Sequence, residues 1–468
     1  MLSFASRRRL KSVAAHASSP PSAVTAEGSD QLGSPLISSG QRHGASSIAL
    51  ALRTRVRRIS ISADSAGLAC AWSAFWRSRL VVWSVGGGAF LAIGTASGSV
   101  ESFDPHRVSL SLGSLGNVLA APAVRWDSIW YLQIAHDGYR AATETRFFPL
   151  YPLLIRAVSW VTGSMVIAGV VISLISLFVG LELVRRLTEL ELGRLPAEAT
   201  VRLIAFGPVA LFLSAIYSES LFIALSAGTF YAARRGRWAW AGTLGGLAGM
   251  TRIGGFLLLA PVLLLYLYGP RSDAAPTAAR SWWRPRYRTT PAILWAALIP
   301  SGAALVPAYM TLRGLGAVAT LHAQEAYSGH ALALPVVTMW EGLVAAWYQL
   351  TLQLSAFPPG TYSGQELLQF GALTVGCLGL LGVFRRLPIA YGVYVLLGFL
   401  LDLSTPTIGD PLRGLDRYAS LRFPLFMWLG AWAVEQRKVR PLIAVSTVML
   451  IFFTAQFATW HWVGTPWL

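Results

Sequence analysis

Charge is scarce in this 468-residue chain. Asp, Glu, Lys and Arg make up 13% of it, where a soluble globular protein carries about 25%. With 54% hydrophobic residues and a mean hydropathy of +0.54, too few polar groups remain to coat a water-soluble particle of this size. Cysteine is nearly absent: Cys70 and Cys377 lie far apart, which excludes a disulfide framework and a cysteine-based metal site. Lysine is confined to Lys11 and Lys438, so the net charge of +17 rests on arginine. No internal repeat is visible, which weighs against an inverted-repeat transporter. What is present is a succession of apolar runs and 18 Trp. The composition is that of an all-α polytopic membrane protein. In that setting a basic balance marks cytoplasmic loops and no nucleic-acid partner is implied.

Residues 1–75 differ in kind from the remainder. They are rich in Ser, Ala, Gly and Arg and show no apolar period. Arg7, Arg8, Arg9, Lys11, Arg55, Arg57 and Arg58 are among eleven basic residues up to Arg79, against Glu27, Asp30 and Asp64. No apolar segment follows the basic start as a signal peptide requires. The division expected is a disordered basic cytoplasmic tail over 1–75 and a multi-pass membrane domain over 76–468.

About eleven spans are expected from the apolar runs, each needing roughly 20 residues unless broken inside protein. They are placed at about Leu80–Val100, Ser164–Val184, Thr200–Ile216, Leu221–Ala233, Ala239–Met250, Gly254–Tyr268 and Ala292–Thr311. Four more end at Arg386, end at Asp402, begin at Phe423 and end at Trp460. Basic clusters at Arg77/Arg79, Arg185/Arg186, Arg234/Arg235/Arg237, Arg271–Arg288, Arg385/Arg386 and Arg437/Lys438/Arg440 then all fall on one side. This parity puts the N-terminus in the cytoplasm and the loop of about 50 residues after the first span outside. The expected location is a bacterial plasma membrane, or the endoplasmic reticulum if the source is eukaryotic.

The external face collects an unusual set of side chains. The first loop carries Arg125-Trp126-Asp127, Tyr131, His136-Asp137-Gly138-Tyr139, and Phe147-Phe148-Pro149-Leu150-Tyr151-Pro152. Tyr217-Ser218-Glu219 ends the third span, Arg252 sits between two short apolar runs, and Arg413, Asp416, Arg417 and Arg422 crowd the loop before the tenth span. Singly, each has an ordinary reading as a solvated loop charge or an interfacial aromatic. Gathered at span ends on one side, ionisable groups mark a site.

The string Arg-Trp-Asp-x3-Tyr-x2-Ile-Ala-x2-Gly-Tyr, with Phe-Phe-Pro-Leu-Tyr-Pro-Leu after it, resembles the mannosyltransferases of the second mannosyl transfer in GPI-anchor assembly, in their bacterial form. The resemblance continues through Pro208, Tyr217-Ser218-Glu219, Thr251-Arg252-x-Gly254, Arg417-Tyr418 and Arg422-Phe-Pro424, over residues 80 to 468. It implies the GT-C fold of membrane glycosyltransferases, a polyprenyl- or dolichyl-phosphate sugar donor, and a functional first extracytoplasmic loop. It maps the expected base onto Asp127. The stretch joining Gly360 to Leu367 departs from the family pattern and leaves the acceptor, a lipid-linked glycan or glycolipid, unassigned.

The chemistry is self-consistent. A sugar phosphate has a leaving group that needs no protonation, so one base plus cations is the minimal kit. Asp127 would deprotonate the acceptor hydroxyl for inverting attack. Arg252, Arg417 or Arg422 would hold the phosphate. Arg125, Trp126, Tyr131, His136, Tyr139, Tyr217 and Glu219 complete the expected substrate-binding set. No metal and no obligatory cofactor is expected. A transporter or lipid flippase, or a non-catalytic membrane subunit, are the competing classes.

Overall fold

The computed structural model describes residues 40–93, 104, 108, 111–277, 284–328, 332–355 and 365–459, with side chains from Asp64 onward except at 324–328, 353–355 and 365. Residues 1–39, the end of the first span to Val100, and the C-terminal residues from Trp460 lie outside the described set. The chain divides into two units, Met1–Ile61 and Ser62–Leu468. The first is described only in its helical residues from Gly40. Apart from the first residues of α1, all that follows concerns the second.

In chain order the helices are α1 (Gly40–Ile93), α2 (Gly113–Ala120), α3 (Asp127–Asp137), α4 (Leu150–Thr162), α5 (Met165–Leu192), α6 (Arg194–Ala205), α7 (Glu219–Arg234), α8 (Trp238–Gly249) and α9 (Leu259–Tyr268). They continue as α10 (Leu298–Leu312), α11 (Ala319–Ser328), α12 (Pro335–Ser355), α13 (Gln365–Arg386), α14 (Ile389–Leu403), α15 (Leu415–Ser420), α16 (Phe423–Glu435) and α17 (Val439–Thr459). Short 3-10 turns lead into α9 and α10 at Ile253–Leu258 and Pro291–Ala297. No strand occurs among the described residues. Met165–Leu192, Pro291–Leu312, Glu366–Arg386 and Val439–Thr459 are long and apolar enough to cross a membrane, so the all-α membrane class read from composition is what the fold displays.

α5 and α7 form the centre, packed along their length, with α4, α6 and α8 as neighbours. Ser173 of α5 shows how the polar atoms inside are satisfied. Its hydroxyl shares a 2.6 Å hydrogen bond with Tyr151 of α4 and donates to the Ala215 carbonyl at 2.8 Å. The basic end of α7 is closed by an ion pair between Arg234 and Glu191, with the Tyr391 hydroxyl donating to the same carboxylate at 2.9 Å. The other end begins at Glu219, roughly 22 Å away along the helix axis.

Three boundaries differ from those read in the sequence. The packed chain begins before residue 76: Ala71 and Ala74 belong to the main core, and Gly67 lies against the Arg185 guanidinium. Gly67, Ala71 and Ala74 recur at helical spacing, so the small residues that resemble a disordered composition form a packing stripe. Leu150–Thr162, placed between the loop and the second span, is a helix in its own right, stopped by Gly163 at φ 69°.

The run Thr200–Ile216 is not one helix. α6 ends at Ala205, and Gly207-Pro208 opens an irregular stretch through a 3-10 turn at Ala210–Leu213. A break of this kind must have its freed carbonyls satisfied within the protein. Arg79 does so: it is buried and donates to the Ala205 and Ala210 carbonyls at 3.1 and 2.8 Å and to the Ser214 hydroxyl at 2.7 Å.

Candidate active site

The first loop and the broken stretch after α6 are sewn together. Ile216 N–H donates to the Ala123 carbonyl at 2.9 Å. Ser128 fixes the start of α3, accepting from Arg125 N–H at 3.2 Å and donating to the Ala123 carbonyl at 3.0 Å. Between them Trp126 holds φ 56° and ψ −122°, the region of the first central residue in a type II′ turn, which glycine ordinarily fills. The buried Tyr217 hydroxyl bridges the two peptides flanking it. It donates to the Arg125 carbonyl at 3.3 Å and accepts from Asp127 N–H at 3.2 Å. Asp127 is thereby set at the first position of α3, where the helix dipole favours a carboxylate.

Three more elements converge there. Glu219 is the first residue of α7, and its side chain is 1% exposed. Arg252 follows α8 in extended backbone and donates through Nη1 to Glu219 Oε1 at 2.8 Å and to the Ser218 hydroxyl at 3.2 Å. Arg417, buried on α15, donates through Nη1 to Asp127 Oδ2 at 3.0 Å, with its Nε 3.3 Å from Glu219 Oε1. Its guanidinium lies 5.4 Å from the ring centre of Tyr217 and 5.3 Å from that of Tyr418, within cation–π range. Tyr131 closes the group by sharing a 2.9 Å hydrogen bond with Ser218. Two guanidinium groups thus balance two carboxylates. The opening is at Asp127 and Arg252, whose side chains are 28% and 18% exposed. Glu219 Oε2 is buried and makes no hydrogen bond.

Other expected residues are placed elsewhere. Arg125 is buried and its guanidinium donates to the Val124 carbonyl at 2.7 Å and the Ala458 carbonyl at 3.3 Å, tying the loop to α17. Arg422 pairs with Asp402 and lies over Phe399. His136 sits at the far end of α3, 48% exposed, with Nδ1 2.7 Å from Asp137. The Tyr139 hydroxyl donates to the Phe147 carbonyl, and burial raises its pKa far above the ordinary phenol value. Trp126 packs, partly buried, against the main core.

Sequence reasoning left out Ser218 as a hub between Tyr131 and Arg252, though it stands inside the recognised Tyr-Ser-Glu string. It also passed over Glu366, Gln369 and Asp410, which lie near Asp416. Asp410 lies within electrostatic reach of Glu366, Arg413 and Asp416 and against the Gln369 amide. Burial, with the Glu366 carboxylate adding to it, pushes Asp410 up to about 6. Burial likewise raises Asp416. Among the described residues no group of three or more His, Cys, Asp or Glu side chains is placed to hold a metal ion.

Residues 98–261 match the family model described as mannosyltransferase (PIG-V), a stretch that includes Asp127, Tyr131, Tyr217, Ser218, Glu219 and Arg252. The resemblance read in the first-loop string is borne out over that stretch. No curated protein matches the chain. A crystal structure of an Archaeoglobus fulgidus oligosaccharyltransferase, in complex with Zn and sulfate, aligns at 16% identity over 75% of this chain and 52% of that one, with a TM-score of 0.37. The chain spans about half the length of that protein.

Proposed function

We propose that this chain, with its mannosyltransferase (PIG-V) stretch wrapped around the Asp127 site, transfers a mannosyl residue from a polyprenyl- or dolichyl-phosphate donor to a lipid-linked glycan or glycolipid, in the manner of a GT-C enzyme. The observation that carries the reading is the convergence of Asp127, Glu219, Arg252 and Arg417 from four separate elements onto one partly open point. Of the two carboxylates, only Asp127 is accessible enough to meet an acceptor.

Asp127 takes the proton from an acceptor hydroxyl. The oxygen forms a bond to the anomeric carbon as the bond to the donor phosphate oxygen breaks on the opposite face, and the anomeric configuration inverts. The electron pair leaves with the lipid phosphate, whose added charge must be met by cations. Arg252 suits that role best. Its hydrogen bonds to protein run through Nη1 alone, which leaves the rest of the guanidinium fork for a phosphate. Arg417 is engaged by both carboxylates, and Arg422 by Asp402. The unpaired Glu219 Oε2 suits a sugar hydroxyl. The site faces the extracytoplasmic side in this account.

The test is transfer by the purified protein in nanodiscs, given labelled polyprenyl-phosphate-mannose and a mannose-terminated glycolipid. The expected product carries a new mannosyl linkage of anomeric configuration opposite to the donor's. Translocation of the donor lipid without glycosidic product would assign the chain to the flippases, and retained configuration would remove the single-displacement mechanism.

A further inference from the structure

Buried polar atoms without partners are rare in folded proteins, and each calls for a water, an ion or a ligand. Among the described residues six such side-chain atoms come from one group outside the Asp127 site: Glu366 Oε2, both amide atoms of Gln369, Asp410 Oδ1, Arg413 Nε and Asp416 Oδ1. Gln369 is completely buried and lies against Asp410. Glu366, Asp410, Arg413 and Asp416 are partly exposed as residues, while the six atoms themselves are buried.

Its frame is fixed. Phe370 and Leu373 of α13 pack with Leu412 and Leu415 on a small apolar core of their own, and the chain between α14 and α15 is pinned by an isolated bridge from Thr407 to Asp410 and by Arg413 N–H donating to the Asp410 carbonyl at 3.1 Å. Three carboxylates against one guanidinium leave the group net negative. An anion is disfavoured there. A neutral compound rich in hydroxyls fits, because its O–H groups donate to carboxylates while the Gln369 amide and Arg413 serve its oxygens.

We propose that Glu366, Gln369, Asp410 and Asp416 form a subsite for the polyhydroxylated head group of the acceptor. The assignment to the acceptor rests on the reading of Asp127 as the base of a glycosyltransferase. α15 joins the two places: Arg417 reaches Asp127 and Glu219, while its neighbour Asp416 belongs to the second group. The opposite charge of the two sorts the substrates, with phosphate at the arginines and neutral hydroxyls at the carboxylates.

The test uses the full chain in nanodiscs and two readouts. The first is the thermal midpoint in tens of millimolar methyl α-mannoside, mannose 6-phosphate or Ca²⁺. A saturable rise with methyl α-mannoside is expected. It should be lost in Glu366→Gln and Asp410→Asn, which remove like charges and so keep unliganded midpoints at or above that of the unmutated protein, whereas any rise with mannose 6-phosphate, whose phosphate goes to the arginines, should survive both substitutions. The second is the kinetic split: the acceptor KM should rise about tenfold or more in each variant, the range for losing a hydrogen bond to a charged group, with the donor KM moving less than about twofold.

An unchanged acceptor KM with undiminished transfer would overturn the subsite and leave the Asp127 reading in place. A mannoside response that needs Glu366 and Asp410, in a protein that transfers no sugar, would keep the polyol site and remove the transferase reading. Stabilisation by Ca²⁺ alone, lost in Glu366→Gln, would replace the polyol by a cation.

Discussion

Trp126 occupies a backbone conformation that favours glycine, and its neighbours explain why the position is held. The Tyr217 hydroxyl locks the peptides on both sides of it, and the reward is the placement of Asp127 one residue on. Two predictions follow at this scale. Trp126→Gly should be more stable than Trp126→Ala by about 1 kcal/mol, reversing the usual glycine penalty, because both lose the indole and only glycine accepts φ 56° without strain. Chemical denaturation of the two variants gives the comparison. Tyr217→Phe should lower kcat about tenfold or more with little change in donor KM, since it leaves the Asp127 N–H without its partner at a cost of about 1–3 kcal/mol and frees Asp127 without removing it. A parallel rise in donor KM would instead make Tyr217 a substrate ligand. The identities at the site were legible in the sequence, because the first-loop string, Glu219, Arg252 and Arg417 stood out as ionisable groups at span ends. Their pairings were not. Arg417 lies 290 positions from Asp127, and nothing in either local sequence separates it from Arg422, which chose Asp402.

At the scale of elements, close packing sets where these side chains arrive. α8 and α10 meet backbone to backbone, and a Cβ at Gly302 would stand 2.1 Å from the Gly246 carbonyl oxygen. Gly302→Ala should therefore cost about 1–3 kcal/mol through overpacking, seen as a lower thermal midpoint, and should reduce transfer because α8 delivers Thr251 and Arg252 to the site. The segment between α14 and α15 yields a pH signature. Asp410 has an ordinary value of 3.8 and stands at about 6 in the fold. The folded state thus binds the proton more tightly, and stability is lost as pH rises through this window. Asp410→Asn should raise the thermal midpoint at pH 7.5, where the unmutated carboxylate is charged, and give no gain at pH 5. A gain of equal size at both pH values would show that charge is not the cause. The end of α7 at Arg234 was readable from charge alone, whereas α5 runs past Arg185–Arg186 to Leu192. The break at Gly207-Pro208 was not readable, because the run to Ile216 is mostly apolar and the buried Arg79 that meets the freed Ala205 and Ala210 carbonyls lies far earlier in the chain.

For the whole molecule, the arginine parity and the fold make one joint statement: the Asp127 site and the basic loops lie at opposite ends of the helices. With Cys70 and Cys377 replaced, a cysteine at the exposed His136 should label from outside intact cells, and one at the exposed Arg284 should label only after permeabilisation. The reverse pattern would put the site in the cytoplasm and withdraw the extracytoplasmic donor. Fold class was legible because composition and run length report the solvent directly; the starting point of the packed domain was not, because Gly67, Ala71 and Ala74 read as low-complexity sequence until the helix facing them is known.

The central claim, that Asp127 is the base of a sugar transfer from a lipid phosphate, is tested most directly by Asp127→Asn. The amide keeps the shape of the side chain and loses its proton affinity. With expression and thermal midpoint matched to the unmutated protein, single-turnover transfer from polyprenyl-phosphate-mannose should fall by about 10²–10⁴, the usual range for a lost general base, while donor binding persists. A well-folded Asp127→Asn protein that transfers within about threefold of the unmutated rate, far outside that range, would contradict the account.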